Sequence, residues 1–135
     1  MIVIDGKGKA LGRLASYVAK QALKGEEVGV INCEEVIITG NKKMIEEEFF
    51  EKRHRFGSSQ KGPKHHKTSE KMVKRAIRGM LPNYREGRGR IAFKKIRCYN
   101  NIPKELKEIK ITESKAVGNK ENSKKFSRVK EFAIK

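Results

Sequence analysis

A glycine-rich segment near the start of the chain has the residue types of a nucleotide-binding turn. The apolar run at residues 2–4 leads through the glycines of residues 6–12 into a stretch with helical periodicity, and Glu34 follows the next apolar run, where a ribose-binding carboxylate would lie. The dinucleotide fingerprint requires glycine at position 11, but Leu11 stands there. Neither Gly-Lys-Ser nor Gly-Lys-Thr occurs, which excludes a P-loop. The pattern therefore favours a phosphate group at a basic helix start over a bound cofactor.

Histidines and glutamates elsewhere could support acid–base or metal chemistry. His54, His65 and His66 lie in or beside a polar stretch, but residues 52–69 contain no carboxylate to orient an imidazole. The consecutive glutamates at residues 46–48 point in different directions on a helix and cannot converge on one substrate atom. Imidazoles that touch RNA and a solvated helix face explain these residues better. We therefore expect no enzymatic activity, no metal and no cofactor.

The two cysteines, Cys33 and Cys98, lie in apolar, strand-like segments. Their number and separation match neither a zinc site nor the disulfide framework of a small secreted domain. We expect two small core residues in a reducing compartment. The sequence does not exclude a disulfide between them.

Positive charge is concentrated in the second part of the 135-residue chain, whose length fits one domain. The formal net charge is +17, whereas solubility of a small domain needs a magnitude of only about 2 to 8. Residues 1–50 carry 7 basic and 8 acidic side chains, but residues 52–97 carry 16 basic and only 2 acidic ones. This localised excess predicts a polyanionic partner, most commonly nucleic acid. A membrane partner is disfavoured, because no apolar run is long enough for a spanning helix.

The candidate RNA-binding side chains share a positive charge or an imidazole and fall in the basic helix start, a polar arm, a third helix and the segment after it. They are Lys7, Lys9, Arg13, Lys52, Arg53, Arg55, Lys61, Lys64, His65, His66, Lys67, Lys71, Lys74, Arg75, Arg78, Arg85, Arg88, Arg90, Lys94, Lys95 and Arg97. Arginine binds phosphate bidentately and stacks on bases, so its abundance here favours RNA contacts over a merely solvated face. Gly87 and Gly89 lack side-chain bulk and are expected to let the partner approach the backbone.

Apolar spacing predicts the elements that position these side chains. Residues 11–22 repeat at three and four positions and predict a first helix, while residues 28–33 and 36–39 are β-branched and predict buried strands. A second helix containing Met44, Ile45 and Phe49 follows residues 40–41. The alternation of strands and helices predicts an α/β fold with a mostly parallel sheet.

The second half of the chain is predicted to contain an arm, two helices and a tail. Residues 52–68 lack apolar periodicity and predict an arm that orders only on RNA. Ser69 is the expected cap of a third helix that ends before Pro82, and a fourth covers about residues 88–96. Its core-facing residues are expected to be Ile91, Ala92 and Phe93, and Cys98 and Tyr99 follow as a last strand-like piece. In the tail, Phe126, Val129 and Phe132 are expected to dock a final helical turn.

Several segments resemble the universal large-subunit ribosomal protein family L13, in order over about residues 2–103. The most specific is Arg-Gly-Met-Leu-Pro at residues 78–82, supported by residues 11–16, 30–34, 38–42 and 89–96. Lys-Gly-Pro at residues 61–63 resembles the archaeal and eukaryotic branch. The chain departs from the family pattern at Ser59, Asn101 and Lys130, where proline, glycine and glycine are common.

The resemblance implies a three-layer α/β/α fold with a four-stranded, mainly parallel sheet. Residues 1–103 would form the domain, including a basic arm at about residues 52–68, and residues 104–135 would form a lysine-rich extension on or beside it. It also implies a monomer in cytoplasmic ribosomes that binds large-subunit rRNA, neighbours other ribosomal proteins and supports subunit assembly, without a membrane or small-molecule substrate. The alternative is an RNA- or DNA-binding regulator acting off the ribosome. Glu70 at the start of the third helix argues against a DNA-reading helix.

Overall fold

Short strands alternate with helices along the chain. The structure, a computed structural model, describes residues 1–55, 63–106, 111, 117–118 and 125–133. The strands are β1 (Ile2–Asp5), β2 (Val28–Ile31), β3 (Ile37–Thr39), β4 (Ile96–Cys98) and β5 (Phe126–Arg128). The helices are α1 (Leu11–Leu23), α2 (Lys42–His54), α3 (Ser69–Gly79), α4 (Gly87–Lys94) and α5 (Val129–Phe132), and 3₁₀ turns cover Cys33–Glu35 and Lys104–Leu106.

Three parallel strands form the central sheet, in the order β1-β2-β4. Val28 pairs with both Ile2 and Ile96, which fixes the register of the sheet. Every residue of β2 is buried, as expected for a central strand covered on both faces. One face packs against the helices, and the other carries a smaller cluster in which Leu106 of the second 3₁₀ turn covers Val3 and Ile31.

The strand β3 leaves this sheet. Asn32 adopts a left-handed conformation with φ of 54°, and the 3₁₀ turn that follows redirects the chain. The strand β3 then pairs antiparallel with β5, with Ile38 opposite Ser127. The α/β class is therefore confirmed, but the predicted four-stranded sheet is wrong: the described residues form a sheet of three strands and a separate pair.

The helical side of the core follows the apolar periodicity of α1 and α3. The buried side chains of α1 are Leu14, Ala15, Val18, Ala19 and Ala22. They face α3, whose Met72, Val73 and Ile77 are buried. The small alanines let the two helices approach closely, and α4 packs against α1 through the buried Ala92. This packing fixes the outward faces of α3 and α4.

The boundaries of two predicted helical segments differ from the structure. Helix α2 continues to His54, so residues 52–54 belong to a helix and not to the arm. Residues 56–62 of the arm lie outside the described residues. Thr68 precedes α3, and Ser69 is buried in its first turn instead of capping it. Helix α2 buries Ile45 and partly buries Phe49, but Met44 on its far side is 67% exposed.

The core side of α4 is narrower than predicted. The helix ends at Lys94, and Ile96 belongs to β4. Ala92 is buried and Phe93 half-buried, but Ile91 is 60% exposed. Consecutive residues lie about 100° apart on a helix, so Ile91 points away from α1 when Ala92 faces it.

Residues 125–133 pack against the first part of the chain. Val129 and Phe132 are buried, and the Phe132 ring stacks on Phe49 of α2 with 5.5 Å between centroids. The Val129 amide donates to the Val36 carbonyl at 2.9 Å. Docking of this helical turn agrees with the expectation, whereas the division into a domain and an extension stays a prediction. Across the described residues, no helix has the length and apolarity needed to cross a membrane.

Candidate nucleic-acid interface

The backbone amides of the glycine-rich turn are used inside the protein. The Gly6 amide donates to the Ile31 carbonyl at 2.9 Å, and the Gly8 amide donates to the Glu35 carbonyl at 3.2 Å. A Cβ at Gly6 would lie 2.8 Å from the Val36 side chain, so this glycine allows close packing of the turn. These two glycine amides therefore join the β1–α1 turn to the end of β2 and to the 3₁₀ turn after it, and they are not free to cradle a phosphate.

The three basic side chains at this turn differ in their exposure and in their hydrogen bonds. Lys7 and Arg13 are exposed. The Lys9 ammonium donates to the Val117 carbonyl at 2.9 Å, so it holds a later segment of the chain. Lys7 and Arg13 are therefore the more accessible of the three side chains.

Two basic residues, one in the last turn of α2 and one directly after it, form ion pairs with glutamates of that helix. Lys52 pairs with Glu48, and Arg55 pairs with Glu51, each four residues apart. All four side chains are exposed, so such pairs are weak and can exchange for a phosphate.

Arg53 points inward. One guanidinium nitrogen donates to the Phe132 carbonyl at 2.6 Å, and the guanidinium lies 5.6 Å from the centroid of the Phe49 ring. Partial burial lowers the pKa of Arg53 from its ordinary value. The geometry thus makes Arg53 a bridge between α2 and α5, even though it stands in a basic run of the sequence.

The end of the arm is attached to α3 through Arg75. Its guanidinium donates to the Lys64 carbonyl at 2.9 Å and lies 3.3 Å from the Nε2 atom of His65. Burial and the neighbouring Arg75 lower the pKa of His65, so this imidazole is neutral at physiological pH. Lys64, His66 and Lys67 are exposed beside it, while Lys61 lies outside the described residues.

Three cationic side chains contact a pair of aromatic rings at the outer side of α3 and α4. The rings of Tyr84 and Phe93 meet edge to face, with 6.1 Å between centroids. Arg78 lies 4.6 Å and Arg85 5.6 Å from the Tyr84 centroid, and Lys74 lies 5.0 Å from that of Phe93. Tyr84 is not among the site residues predicted from the sequence, although its position directly before Arg85 in a basic segment was the available signal.

Three shallow recesses join the basic side chains into one continuous surface, named here the basic face. The first recess, of about 80 Å³, is lined by His66, Lys71, Lys74, Arg75, Arg78 and Phe93. The second shares Lys71 and Lys74 with it and reaches Arg97 on β4. The third shares Arg97 and reaches Lys94 on α4. The basic face therefore runs from the end of the arm across α3 and β4 to α4.

The start of α4 adds exposed arginines to the basic face. Arg85, Arg88 and Arg90 are exposed, whereas the Lys95 ammonium donates to the Gly25 carbonyl at 2.7 Å. Gly89 does not give a partner access: it is buried, and a Cβ there would lie 2.2 Å from the Pro82 carbonyl oxygen.

The carboxylates with lowered pKa values lie away from the basic face. Glu35 pairs with Lys130 at 2.8 Å and Arg128 at 3.2 Å, and Glu131 pairs with Lys42 at 2.7 Å. The hydrogen bond from Lys130 lowers the pKa of Glu35, and that from Lys42 lowers the pKa of Glu131. These pairs hold β5 and α5 against the first part of the chain.

The two cysteines are neighbours in the core. Cys33 is buried, Cys98 is half-buried, and both are free thiols. A hydrogen bond with Cys98, together with burial, raises the pKa of Cys33 far above its usual range. Cys33 is therefore a protonated core residue, as expected.

Fold and surface together define a small basic α/β protein with a cation-rich face. In the described part of the chain, no three His, Cys, Asp or Glu side chains gather as a metal site would require. Residues 1–105 match the family model described as Ribosomal protein L13. The chain belongs to this family, as the sequence motifs indicated.

Several archaeal proteins are similar to the chain. A large ribosomal subunit protein uL13 from Methanocaldococcus jannaschii is 39% identical over 136 residues, covering 98% of this chain and 95% of the relative. Proteins of the same name from Archaeoglobus fulgidus and Methanopyrus kandleri are 45% and 47% identical, covering 77% and 81% of this chain. The matches span only 65% and 67% of those two proteins. The family is one of structural ribosomal proteins, which confirms that the chain is not an enzyme.

Proposed function

We propose that this protein is a structural constituent of the large ribosomal subunit, where it binds large-subunit rRNA and supports subunit assembly. The proposal combines membership of the L13 family, the names of the archaeal relatives and the basic face. Neighbouring large-subunit proteins would be its other partners, and it would be present as a monomer in cytoplasmic ribosomes.

The observation that carries the RNA-binding part is the distribution of carboxylates around the basic face. The ion pairs of the described residues involve Glu35, Glu48, Glu51 and Glu131, and none of them lies in the three recesses. Two other glutamates, Glu27 and Glu70, line the recesses but form no ion pair there. Many cations thus share one surface with few anions, which is the arrangement that a phosphate backbone neutralises.

Recognition would rest on RNA shape and phosphate positions. The deep groove of an A-form helix hides its base edges, so phosphates and 2′-hydroxyls are the groups that the basic face would contact. The candidate contacts on this surface are the exposed or half-buried cations Lys71, Lys74, Arg75, Arg78, Arg85, Arg88, Arg90, Lys94 and Arg97. Release of counterions from the RNA would supply much of the binding free energy. The arm, including Lys61, is proposed to contribute further contacts.

Co-sedimentation of the tagged protein through a gradient of archaeal cell lysate tests the proposal. We expect the protein to run with large subunits and to stay there through a moderate salt wash. The variant Lys71→Ala/Arg97→Ala should be released at lower salt. The matched variant Lys20→Ala/Lys43→Ala removes the same charge from exposed sites on α1 and α2 and should behave as wild type.

A protein that stays at the top of the gradient would contradict the ribosomal role. If such a protein still bound purified RNA or DNA with a steep salt dependence, the alternative of a regulator acting off the ribosome would replace it.

A further inference from the structure

Tyr84 occupies the centre of a group of cations on the basic face. Arg78 comes from α3 and lies 4.6 Å from the Tyr84 ring centroid, and Arg85 is the next residue in the chain. The Nε atom of Arg85 also donates to the Tyr84 hydroxyl at 3.2 Å. One aromatic side chain therefore contacts two guanidinium groups, through its ring and through its hydroxyl.

Phe93 fixes the position of Tyr84. The edge-to-face contact between the two rings limits the rotation of Tyr84, and Lys74 lies 5.0 Å from the centre of the Phe93 ring. Both aromatic residues are half-buried; Phe93 packs against the core, and Tyr84 packs against Phe93. A half-buried aromatic pair of this kind moves less than the long arginine side chains that contact it.

The charges around this pair are not balanced by carboxylates within the described ranges. The ion pairs among the described residues do not include Lys74, Arg78 or Arg85. Like charges held close together repel, and an anion between them removes that repulsion. Arg78 and Lys74 also line the recess of about 80 Å³, which has room for a phosphate group and a few water molecules.

We propose that Tyr84 is a positioning residue that holds Arg78 and Arg85 ready for RNA phosphates, with one backbone phosphate bound in the recess beside Arg78. The proposal rests on the proposed RNA-binding function and names one subsite within it. An arginine that already rests on a ring loses less rotamer freedom when it binds a phosphate. Tyr84 itself would not touch the phosphate in the recess.

Two substitutions at Tyr84 separate its ring from its hydroxyl. Tyr84→Phe keeps the ring contacts with Arg78 and Phe93 and removes only the hydrogen bond with Arg85. Tyr84→Leu removes the ring. With large-subunit rRNA from Methanocaldococcus jannaschii as the probe, Tyr84→Leu should bind about fivefold more weakly than wild type, and Tyr84→Phe within about twofold of it.

A double-mutant cycle with Arg78 distinguishes positioning from a general structural effect. Arg78→Ala should weaken binding about tenfold. If Arg78 carries most of the effect of Tyr84 and Arg85 the smaller part, adding Tyr84→Leu to Arg78→Ala should change the affinity by less than about twofold. Fully additive effects of the two substitutions would overturn the proposal.

Arg78→Lys tests the subsite without changing Tyr84, so the proposal stays testable if Tyr84→Leu does not fold. Lysine keeps the charge but lacks the planar fork that stacks on the ring and binds phosphate bidentately. We expect a loss of about fivefold, and affinity equal to wild type would contradict the subsite.

The outcomes also separate this inference from the proposed function. If Arg78→Ala and Lys71→Ala weaken binding but Tyr84→Leu does not, the inference fails and the RNA-binding function stands. If none of these variants differs from Lys20→Ala in affinity, the proposed function itself fails.

Discussion

Gly89 shows how a missing side chain lets two segments meet. The start of α4 lies against the loop after α3, and a Cβ at Gly89 would come within 2.2 Å of the Pro82 oxygen and 2.5 Å of the Asn83 oxygen. Both atoms belong to the backbone, which cannot move aside as the end of a flexible side chain can. The position of the arginines on α4 therefore depends on this glycine.

Gly89→Ala is expected to destabilise the protein by about 2–3 kcal/mol, because the loop and helix must separate. Gly79→Ala is the matched control: that glycine is helical and exposed, and a Cβ there would meet no atom within 4 Å. Alanine at this control position should stabilise the protein by up to about 1 kcal/mol. Urea unfolding of both variants measures the difference. Equal stability of the two variants would show that the loop accommodates the methyl group.

Arg53 is a residue whose role the sequence could not reveal. It stands among basic residues, yet its hydrogen-bond partner is the carbonyl of Phe132, 79 positions later. We expect Arg53→Ala to lower the unfolding free energy by about 1–3 kcal/mol, because it removes a charge-assisted hydrogen bond and a cation–π contact. Arg55→Ala should change stability by less than about 0.5 kcal/mol. Thermal unfolding checks both, and equal losses would contradict the bridging role.

The cysteines differ in the exposure that decides their reactivity. Cys33 is buried and its pKa is raised, so little thiolate forms there, whereas Cys98 lines a surface recess. We expect iodoacetamide to modify Cys98 in the folded protein well before Cys33. Mass spectrometry of timed samples measures the order. Modification of Cys33 first would mean that the core around it opens under native conditions.

At the scale of elements, two carboxylates connect the C-terminal elements β5 and α5 to the rest of the molecule. Glu35 and Glu131 have pKa values below the ordinary 4.5, so their ion pairs stabilise the folded state at neutral pH. That contribution is lost as the pH falls from about 4.5 through the lower folded-state values. Each pair is partly exposed, so solvent screens it and its contribution is small.

Comparison of unfolding free energies at pH 7 and pH 3.5 tests this linkage. Glu35→Gln should be less stable than wild type at pH 7 by about 0.5 kcal/mol, and the difference should shrink at pH 3.5. Glu26→Gln changes an exposed carboxylate that makes no ion pair in the described residues and should leave stability unchanged at both values. A constant difference for Glu35→Gln across this range would exclude the ion pair as its cause.

The elements that the sequence predicted well are those with local determinants. The repeat of small and branched residues in α1 specifies its buried face, and the β-branched run of β2 specifies a central strand. The strand β3 has the same local character, but its partner is β5, and neither Asn32 nor the pairing with Ser127 is visible in local periodicity. Local patterns therefore predicted the mostly parallel sheet but not the non-local pairing of β3 with β5, and the four-stranded sheet that the family resemblance implied did not include this pairing either.

At the scale of the whole molecule, charge predicted the class of partner but not which cations are available to it. Lys95 lines the third recess together with Arg97, but its ammonium donates to the Gly25 carbonyl, and Lys9 donates to the Val117 carbonyl. The side chains of Lys71 and Arg97 line connected recesses. All four were candidates in the sequence. Whether a cation is available to a partner depends on whether folding brings a backbone carbonyl within its reach. The residues next to it in the sequence do not reveal this.

Salt dependence reports on the number of available cations. For rRNA binding, the logarithm of the affinity should fall linearly with the logarithm of salt concentration, and Lys71→Ala/Arg97→Ala should reduce the slope by about 1 to 2. Lys9→Ala should leave the slope within about 0.5 of wild type, because the Lys9 ammonium is held at the Val117 carbonyl and lines none of the three recesses. Filter binding across a salt series measures both. Equal slopes for all three proteins would mean that the basic face does not contact phosphates.

The pairing of β3 with β5 has a consequence for the order of events during synthesis. Ile38 is translated roughly 4–18 s before its partner Ser127, because 89 residues separate the two and elongation adds about 5–20 residues per second. Until Ser127 follows, the edge of β3 in the nascent chain is unpaired, and an unpaired strand edge can pair with strands of other chains. A newly made chain is thus vulnerable to aggregation until translation delivers the strand that covers this edge.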